Sequence, residues 1–356
     1  MNNTELLDIY SDYLLSAFGR TTSTGLSELL DGQLSHDQIQ RFLNGREFTS
    51  ADLWGMVKGA VRQMESSGGS LIIDDSIVEK PYMGENSLVC WHYDHSSGST
   101  VKGINFISTV YHSQGQTLPV GFRLVEKDEW YDGEDGERKR RSRVSKNSHY
   151  QALLKQAVAN WIPFKYVLND VWYASAENMR FVVETLDKDF VMPLKANRKV
   201  ALSAEDKKRG RYVRIDSLTF EPNTCRIVYL EGLPFALVLA QQVFVNEDGS
   251  TGILYLVSSD LDLTYDQLTG HYRTRWSIEP YHKSLKQNVS LEKSPAQTKT
   301  GQTNHLVAAL FGYIKLELLR AKTNLTHFGL KARLYLSALK TAYAQLRLFQ
   351  HSSPPA

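Results

Sequence analysis

Cysteine is almost absent, with Cys90 and Cys225 the only two in 356 residues. So sparse a set excludes a disulfide framework and suits a reducing cytosol. No apolar run approaches the ~18 residues of a membrane-spanning helix, so no membrane partner is expected. The first residues, MNNTELLDIYSDYLL, lack a basic stretch followed by an apolar one, which speaks against a secretory signal. No internal repeat is visible, which sets aside solenoid architectures.

What remains is ordinary soluble composition, 42% hydrophobic and 22% charged, with length enough for two or three domains. The formal net charge of +2 conceals an uneven distribution. Residues 1–65 carry five Lys/Arg against nine Asp/Glu, whereas residues 271–350 carry thirteen against three. A second basic block, ERKRRSR, holds Arg138, Lys139, Arg140, Arg141 and Arg143. Cations confined to chosen segments are the electrostatic footprint of a polyanion binder; a solvated basic surface is the plainer alternative.

Local pattern divides the chain further. Residues 1–66 read as short helices, with Ser35 capping HDQIQRFLN up to Gly45 and Thr49 or Ser50 capping the next. Their tight turns resemble a helix-turn-helix, although the acidity of the region favours packing and assembly over gripping DNA alone. Ser66–Ser70 reads as a glycine-serine linker. From Leu71 the pattern turns to strands: LIIDDSIV, then Val101–Tyr111 and Thr117–Val125 around Gly115. Asp128–Lys146 reads as a loop, a helix follows from Asn147 or Ser148, and Phe164–Leu168 is a strand ending at Asn169-Asp170. Ser175–Leu186 is the next helix and Phe190–Leu194 the next strand. The expected fold is α/β, a ribonuclease-H-like catalytic core over residues 70–194 and 261–300. It is interrupted by a β-rich insertion at 195–260 and flanked by N- and C-terminal helical regions, 1–66 and 301–356.

Between Tyr272 and Lys286 the chain reads YRTRWSIEPYHKSLK. On a continuous helix at ~100° per residue, Tyr272, Arg275, Glu279 and Lys286 share an arc of about 60°, with Lys283 beside them. A carboxylate within a ribbon of cations and a phenol is a plausible way to hold a metal ion against a phosphate backbone. Two further acidic positions lie at strand ends, Asp74 or Asp75 after the first strand and Asp170 after Phe164–Leu168. Cys90, His92 and His95 lie close together, but their spacing matches no structural zinc pattern and lacks a fourth ligand.

The segment Tyr272–Lys286 fits Y-x2-R-x3-E-x6-K without mismatch and resembles the motif of DDE transposases of the bacterial insertion-sequence group often called IS-four-like. LIIDDS resembles the first-Asp strand of that family and VLNDVWYAS its second-Asp box. The resemblance covers about residues 70–290. It implies a metal-binding catalytic triad of Asp74, Asp170 and Glu279, with Asp75 the rival for the first place, holding Mg²⁺ or Mn²⁺, two ions in all. Tyr272, Arg275 and Lys286 would contact phosphates near the scissile position. Trp276 would stack on a flipped base or else be a core aromatic, and Trp172 reads as core. The implied partners are double-stranded DNA, as terminal inverted repeats and target, and a second protomer in the synaptic complex. The implied location is the bacterial cytoplasm at the nucleoid. The alternatives are a ribonuclease-H-like nuclease without strand transfer and a non-catalytic DNA-binding derivative.

Overall fold

The N-terminal helices start where the sequence offers a cap. In the computed structural model, which describes residues 1–94, 98–134, 136–246 and 248–351, helix α1 (Asn3–Ser16) is opened by Asn2. The Asn2 side chain accepts from the Glu5 backbone N–H while Glu5 reaches back to the Asn2 N–H. Thr22 caps α2 (Ser23–Leu29), and Ser35 and Gln38 form the same reciprocal box on α3 (His36–Asn44), which stops at Gly45 as expected. Helix α4 spans Ser50–Met64.

The Ser66–Ser70 segment is a pinned turn rather than a loose linker. The Tyr111 hydroxyl accepts from the Ser66 N–H at 3.0 Å and donates to the Ser66 carbonyl at 3.2 Å. Gly69 lies so close to the Tyr111 ring that a Cβ there would come within 2.5 Å of it.

The strands are β1 (Ser70–Glu79), β2 (Cys90–Asp94), β3 (Ser99–Ser113) and β4 (Gln116–Leu124), followed by β5 (Glu129–Asp132) and β6 (Arg138–Arg141). Helix α5 (Lys146–Ala159) leads to β7 (Tyr166–Asn169), and α6 (Ala176–Arg180) runs through a π-helical turn at Phe181–Thr185 to β8 (Asp189–Leu194). Beyond lie β9 (Lys199–Ala201), α7 (Ala204–Lys208), β10 (Val213–Arg214), β11 (Cys225–Leu230), β12 (Leu237–Val245) and β13 (Thr251–Ser258). The last helices are α8 (Tyr265–Thr274), α9 (Ile278–Gln287), α10 (Lys299–Thr323) and α11 (His327–His351).

Strand β1 lies between β3 and β7, and β4 pairs with β3. β1, β7 and β8 are mutually parallel and β3 and β4 antiparallel. This is the expected mixed sheet of a ribonuclease-H-like core. Leu71, Ile72 and Ile73 are all fully buried, because a central parallel strand is covered on both faces. The β-rich insertion extends the same sheet: β13 pairs antiparallel with β8, then β12, β11, β9 and β10 follow in order. Asp128–Lys146 departs from expectation, since β5 and β6 form a separate antiparallel hairpin there.

The chain divides into two compact units, Met1–Val57 with Val78–Gly84 and Tyr281–Ala356, and Lys58–Ile77 with Glu85–Pro280. Three of the four boundaries fall inside α4, β1 and α9, and the fourth, after Gly84, lies between β1 and β2. In the first unit, Tyr10 and His305 are hydrogen-bonded at 3.0 Å in the core between α1 and α10. Among the described residues no helix is long and apolar enough to cross a membrane.

Candidate active site

The pairing of β1 with β7 decides where the carboxylates go. Ile73 stands opposite Asn169 in the parallel register, so the next residues in line are Asp74 and Asp170. Side chains at matched positions of parallel strands share a face, and these two lie side by side where β7 ends; contrary to expectation Asp74 does not end its strand, since β1 continues to Glu79 and Asp74 sits midway along it. Asp170 is fixed by its own turn: its Oδ1 accepts from the backbone N–H groups of Trp172 and Tyr173 at 3.0 and 3.3 Å. Asp74 Oδ1 accepts from the Asp75 N–H at 2.8 Å.

Electrostatics separates Asp74 from its neighbour. Burial, then the charges of Asp170 and Asp75, push the Asp74 carboxyl well above the usual carboxylate range. Burial also raises Asp170, outweighing its backbone hydrogen bonds. At Asp75 burial acts in the same direction, but Lys146, Asn105 and Tyr173 overcome it and hold the carboxyl below its ordinary value. The Lys146 ammonium is 2.7 Å from Asp75 Oδ2, Asn105 Nδ2 donates to the same oxygen at 2.8 Å, and the Tyr173 hydroxyl donates to Oδ1 at 3.0 Å. Asp75 is therefore satisfied within the protein, whereas Asp74 and Asp170 face each other with a shortage of positive charge.

Glu279 opens α9 and is half exposed; its Oε1 lies 3.4 Å from Arg275 Nη1. The same Nη1 is 3.9 Å from Asp74 Oδ2, so one guanidinium nitrogen links the first and third carboxylates. Arg275 is buried, with its carbon 5.6 Å from the Tyr272 ring centre and 5.3 Å from that of Trp276. Its Nε has no hydrogen-bond partner among the described residues. Among those residues no three His, Cys, Asp or Glu side chains converge as a metal-binding group: the two aspartates adjoin, and Glu279 is held by arginine.

A family profile described as "DDE superfamily endonuclease" matches residues 2–222, and one described as "Transposase DDE domain" matches residues 140–314. The chain belongs to the DDE superfamily of endonucleases. No curated protein matches it. Membership makes it a transposase-type nuclease with DNA as its partner, in a superfamily that generally uses divalent metal ions.

The remaining expected residues of this DDE endonuclease divide among several places. Tyr272 is buried beside Arg275, while Trp276 is 60% exposed, so it is no core aromatic. Trp172, expected in the core, is 45% exposed with the Lys146 ammonium 5.3 Å from its ring centre. The single helix expected from Tyr272 to Lys286 is interrupted by a 3₁₀ turn at Arg275–Ser277. Pro280 supplies the reason: it has no N–H to bond the Trp276 carbonyl one turn earlier, and the chain tightens to three residues per turn there. The even 100° spacing over those positions does not hold. Lys283 and Lys286 belong to the other compact unit. There the Lys283 ammonium is 5.4 Å from the Phe328 ring centre, and Lys286 is 3.6 Å from Glu292.

The Arg138–Arg143 block is less free than its sequence suggests. Arg141 pairs with Glu129 at 3.1 Å, Arg143 with Asp128 and Glu129, and Arg140 with Glu85. Arg138 and Arg140 also lie over Trp130, at 5.0 and 4.1 Å, and Lys139 stands opposite Tyr131 in the hairpin. Residues 128–143 hold six acids against five bases, so the hairpin offers little net positive charge. Cys90 and His92 lie on β2, both buried, with burial and the nearby lysines bringing the imidazole down to about 4. His95 lies outside the described residues. Sequence reasoning missed Lys146, Asn105 and Tyr173; only Tyr173, beside Trp172 in VLNDVWYAS, stood in a motif that had been noticed.

Proposed function

We propose that this DDE endonuclease is the transposase of a bacterial insertion sequence of the IS-four-like kind. It binds the terminal inverted repeats of its element, cuts at their boundary, passes through hairpin ends and joins the freed 3′ ends to target DNA. The observation that supports this most is the side-by-side placement of Asp74 on β1 and Asp170 just past the parallel neighbour β7, both raised by burial and Asp74 also by the neighbouring charge of Asp170.

Two hard-oxygen donors that repel each other suit a divalent cation, Mg²⁺ or Mn²⁺. Asp74 and Asp170 would hold it, with Glu279 as the third carboxylate once Arg275 turns to a phosphate. Bound there, a pair of such ions would supply activation of a water or 3′-hydroxyl and charge stabilisation of the leaving oxygen. The protein contributes position and charge. The buried Arg275 guanidinium, with its Nε–H unpaired, donates to a phosphate oxygen, and the Tyr272 ring keeps it in place. The exposed Trp276 indole stacks on an unpaired base. Asp75, with Lys146 and Tyr173, stiffens the stretch of β1 that carries Asp74.

The test is incubation of the purified chain with a labelled terminal-repeat duplex carrying its flank, in Mg²⁺, Mn²⁺ or EDTA. The expected result is metal-dependent cutting at the repeat boundary. It should fall more than 100-fold in Asp170→Ala and Glu279→Ala, with duplex binding within about threefold of the parent chain. Loss of binding in both folded variants would sink the catalytic assignment, and cutting without joining would leave a nuclease lacking strand transfer.

A further inference from the structure

Lys146 is a cation in a place that its own helix disfavours. It is the first residue of α5, follows the Ser145 cap, and has no acid beside it in the first turn. An ammonium there meets the positive end of the helix dipole. Asp75 supplies the offset. The ammonium lies 2.7 Å from Asp75 Oδ2 and 5.3 Å from the centre of the Trp172 ring. The pair is largely enclosed, with the Lys146 side chain 27% exposed and that of Asp75 19%. Enclosed charges attract strongly and are little screened by salt.

Asp75 follows Asp74 in β1, where successive side chains leave opposite faces. Their partners differ accordingly. Asp74 has Arg275 near it, whereas Asp75 takes Lys146 from α5, Asn105 from β3 and the Tyr173 hydroxyl. Opposite faces do not isolate the charges: the Asp75 carboxylate is felt at both Asp74 and Asp170, and raises each. Three carboxylates therefore share one field, with Arg275 and Lys146 set against them. Arg275 is the looser cation, 3.9 Å from Asp74 Oδ2 and 3.4 Å from Glu279 Oε1. Lys146 is fixed at hydrogen-bond distance.

We propose that Lys146 is a positioning residue of this site, whose fixed charge cancels that of Asp75 and so sets how tightly Asp74 and Asp170 hold a divalent cation. The proposal rests on the reading of those two carboxylates as metal ligands. Balance matters because the site must accept an anionic phosphate as well as the ions. An uncancelled Asp75 would draw the ions in more tightly and repel the phosphate, and an uncancelled Lys146 would do the reverse. Lys146 acts through Asp75 and needs no contact with the substrate.

The experiment is isothermal titration of the full chain with Mn²⁺, without DNA, at pH 8 and low salt. Lys146→Met should bind Mn²⁺ about tenfold more tightly than the native chain, and Asp75→Asn about tenfold more weakly. The two substitutions together remove one charge of each sign and should return the affinity to within about threefold of native, as should Lys146→Arg. A residue that only holds the fold would not raise the affinity when lost. Circular dichroism verifies folding, and where Lys146→Met folds poorly, Asp75→Asn and the double variant still carry the sign and its cancellation. Unchanged or weaker binding in folded Lys146→Met would overturn the proposal, as would a double variant that keeps the shift of either single one. Weaker duplex binding with unchanged Mn²⁺ affinity would make Lys146 a direct phosphate contact, and overturn it too. Mn²⁺ binding that Asp74→Asn leaves untouched would sink the metal-ligand reading itself. Binding sensitive to Asp74→Asn yet indifferent to Lys146→Met would sink the role of Lys146 alone.

Discussion

Asp74 and Asp75 are chemically identical neighbours with opposite thermodynamic roles. The Asp74 carboxyl is raised in the folded state, so the folded chain keeps a proton that the unfolded chain releases. Stability attached to it is present in full below the unfolded pKa and lost as pH rises through the folded value. Asp74→Asn, which copies the protonated form, should therefore raise Tm by about 2–4 °C at neutral pH, with the gain fading as pH falls toward 4. Asp75 is lowered, so its contribution is present above the unfolded pKa and lost as pH falls through the folded one. Asp75→Asn should cost about 2 kcal/mol at pH 7, since it weakens three hydrogen bonds and leaves Lys146 without its partner. Thermal melts of both variants between pH 4 and 8 check the pair of signs. Added Mn²⁺ should raise Tm of the native chain and not of Asp74→Asn; an equal rise in both would place the ion elsewhere.

At the scale of elements, the turn at Ser66–Ser70 makes the sharpest prediction. Gly69→Ala pushes a methyl group into the Tyr111 ring, whose hydroxyl is fixed on Ser66, and should destabilise the chain by about 1–3 kcal/mol in urea melts. Much of this level was legible in the sequence. Caps at Ser35 and Gly45, and the unbroken run Leu71–Ile73 leading into Asp74, are local signals, and the structure has those elements. What escaped was nonlocal or context-bound. The linker reading failed because Gly and Ser mark close packing as well as flexibility, and the packing partner Tyr111 is 45 residues away. Helical periodicity placed Tyr272, Arg275 and Glu279 together, but Pro280 breaks the uniform spacing that the wheel assumes. The hairpin at β5 and β6 was hidden because charge runs look like loops, and here ion pairs and arginine–tryptophan stacking hold the two strands. Lys146 and Asn105 reach Asp75 only through the fold, and no spacing rule announces them.

For the molecule as a whole, the helices nearest the start of the sequence depend on α10, more than 250 residues further on. Asn304 of α10 is fully buried, accepts from the Phe48 N–H at 2.8 Å, and donates to the carbonyls of Leu43 and Arg46. Asn304→Ala would leave three backbone groups of the α3–α4 connection unpaired, and should cost about 2–4 kcal/mol by denaturant titration. The carboxylates Asp74, Asp170 and Glu279, by contrast, all belong to the unit formed by Lys58–Ile77 and Glu85–Pro280. That arrangement has a consequence during translation. When α1 leaves the ribosome, the residues that bury Tyr10 and satisfy Phe48 are more than 250 positions from being made. At about 5–20 residues per second the newborn N-terminus waits from some ten seconds to about a minute with Leu7, Tyr10 and Leu14 uncovered. A message truncated before the Asn304 codon would yield a polypeptide whose opening helices never find that cover.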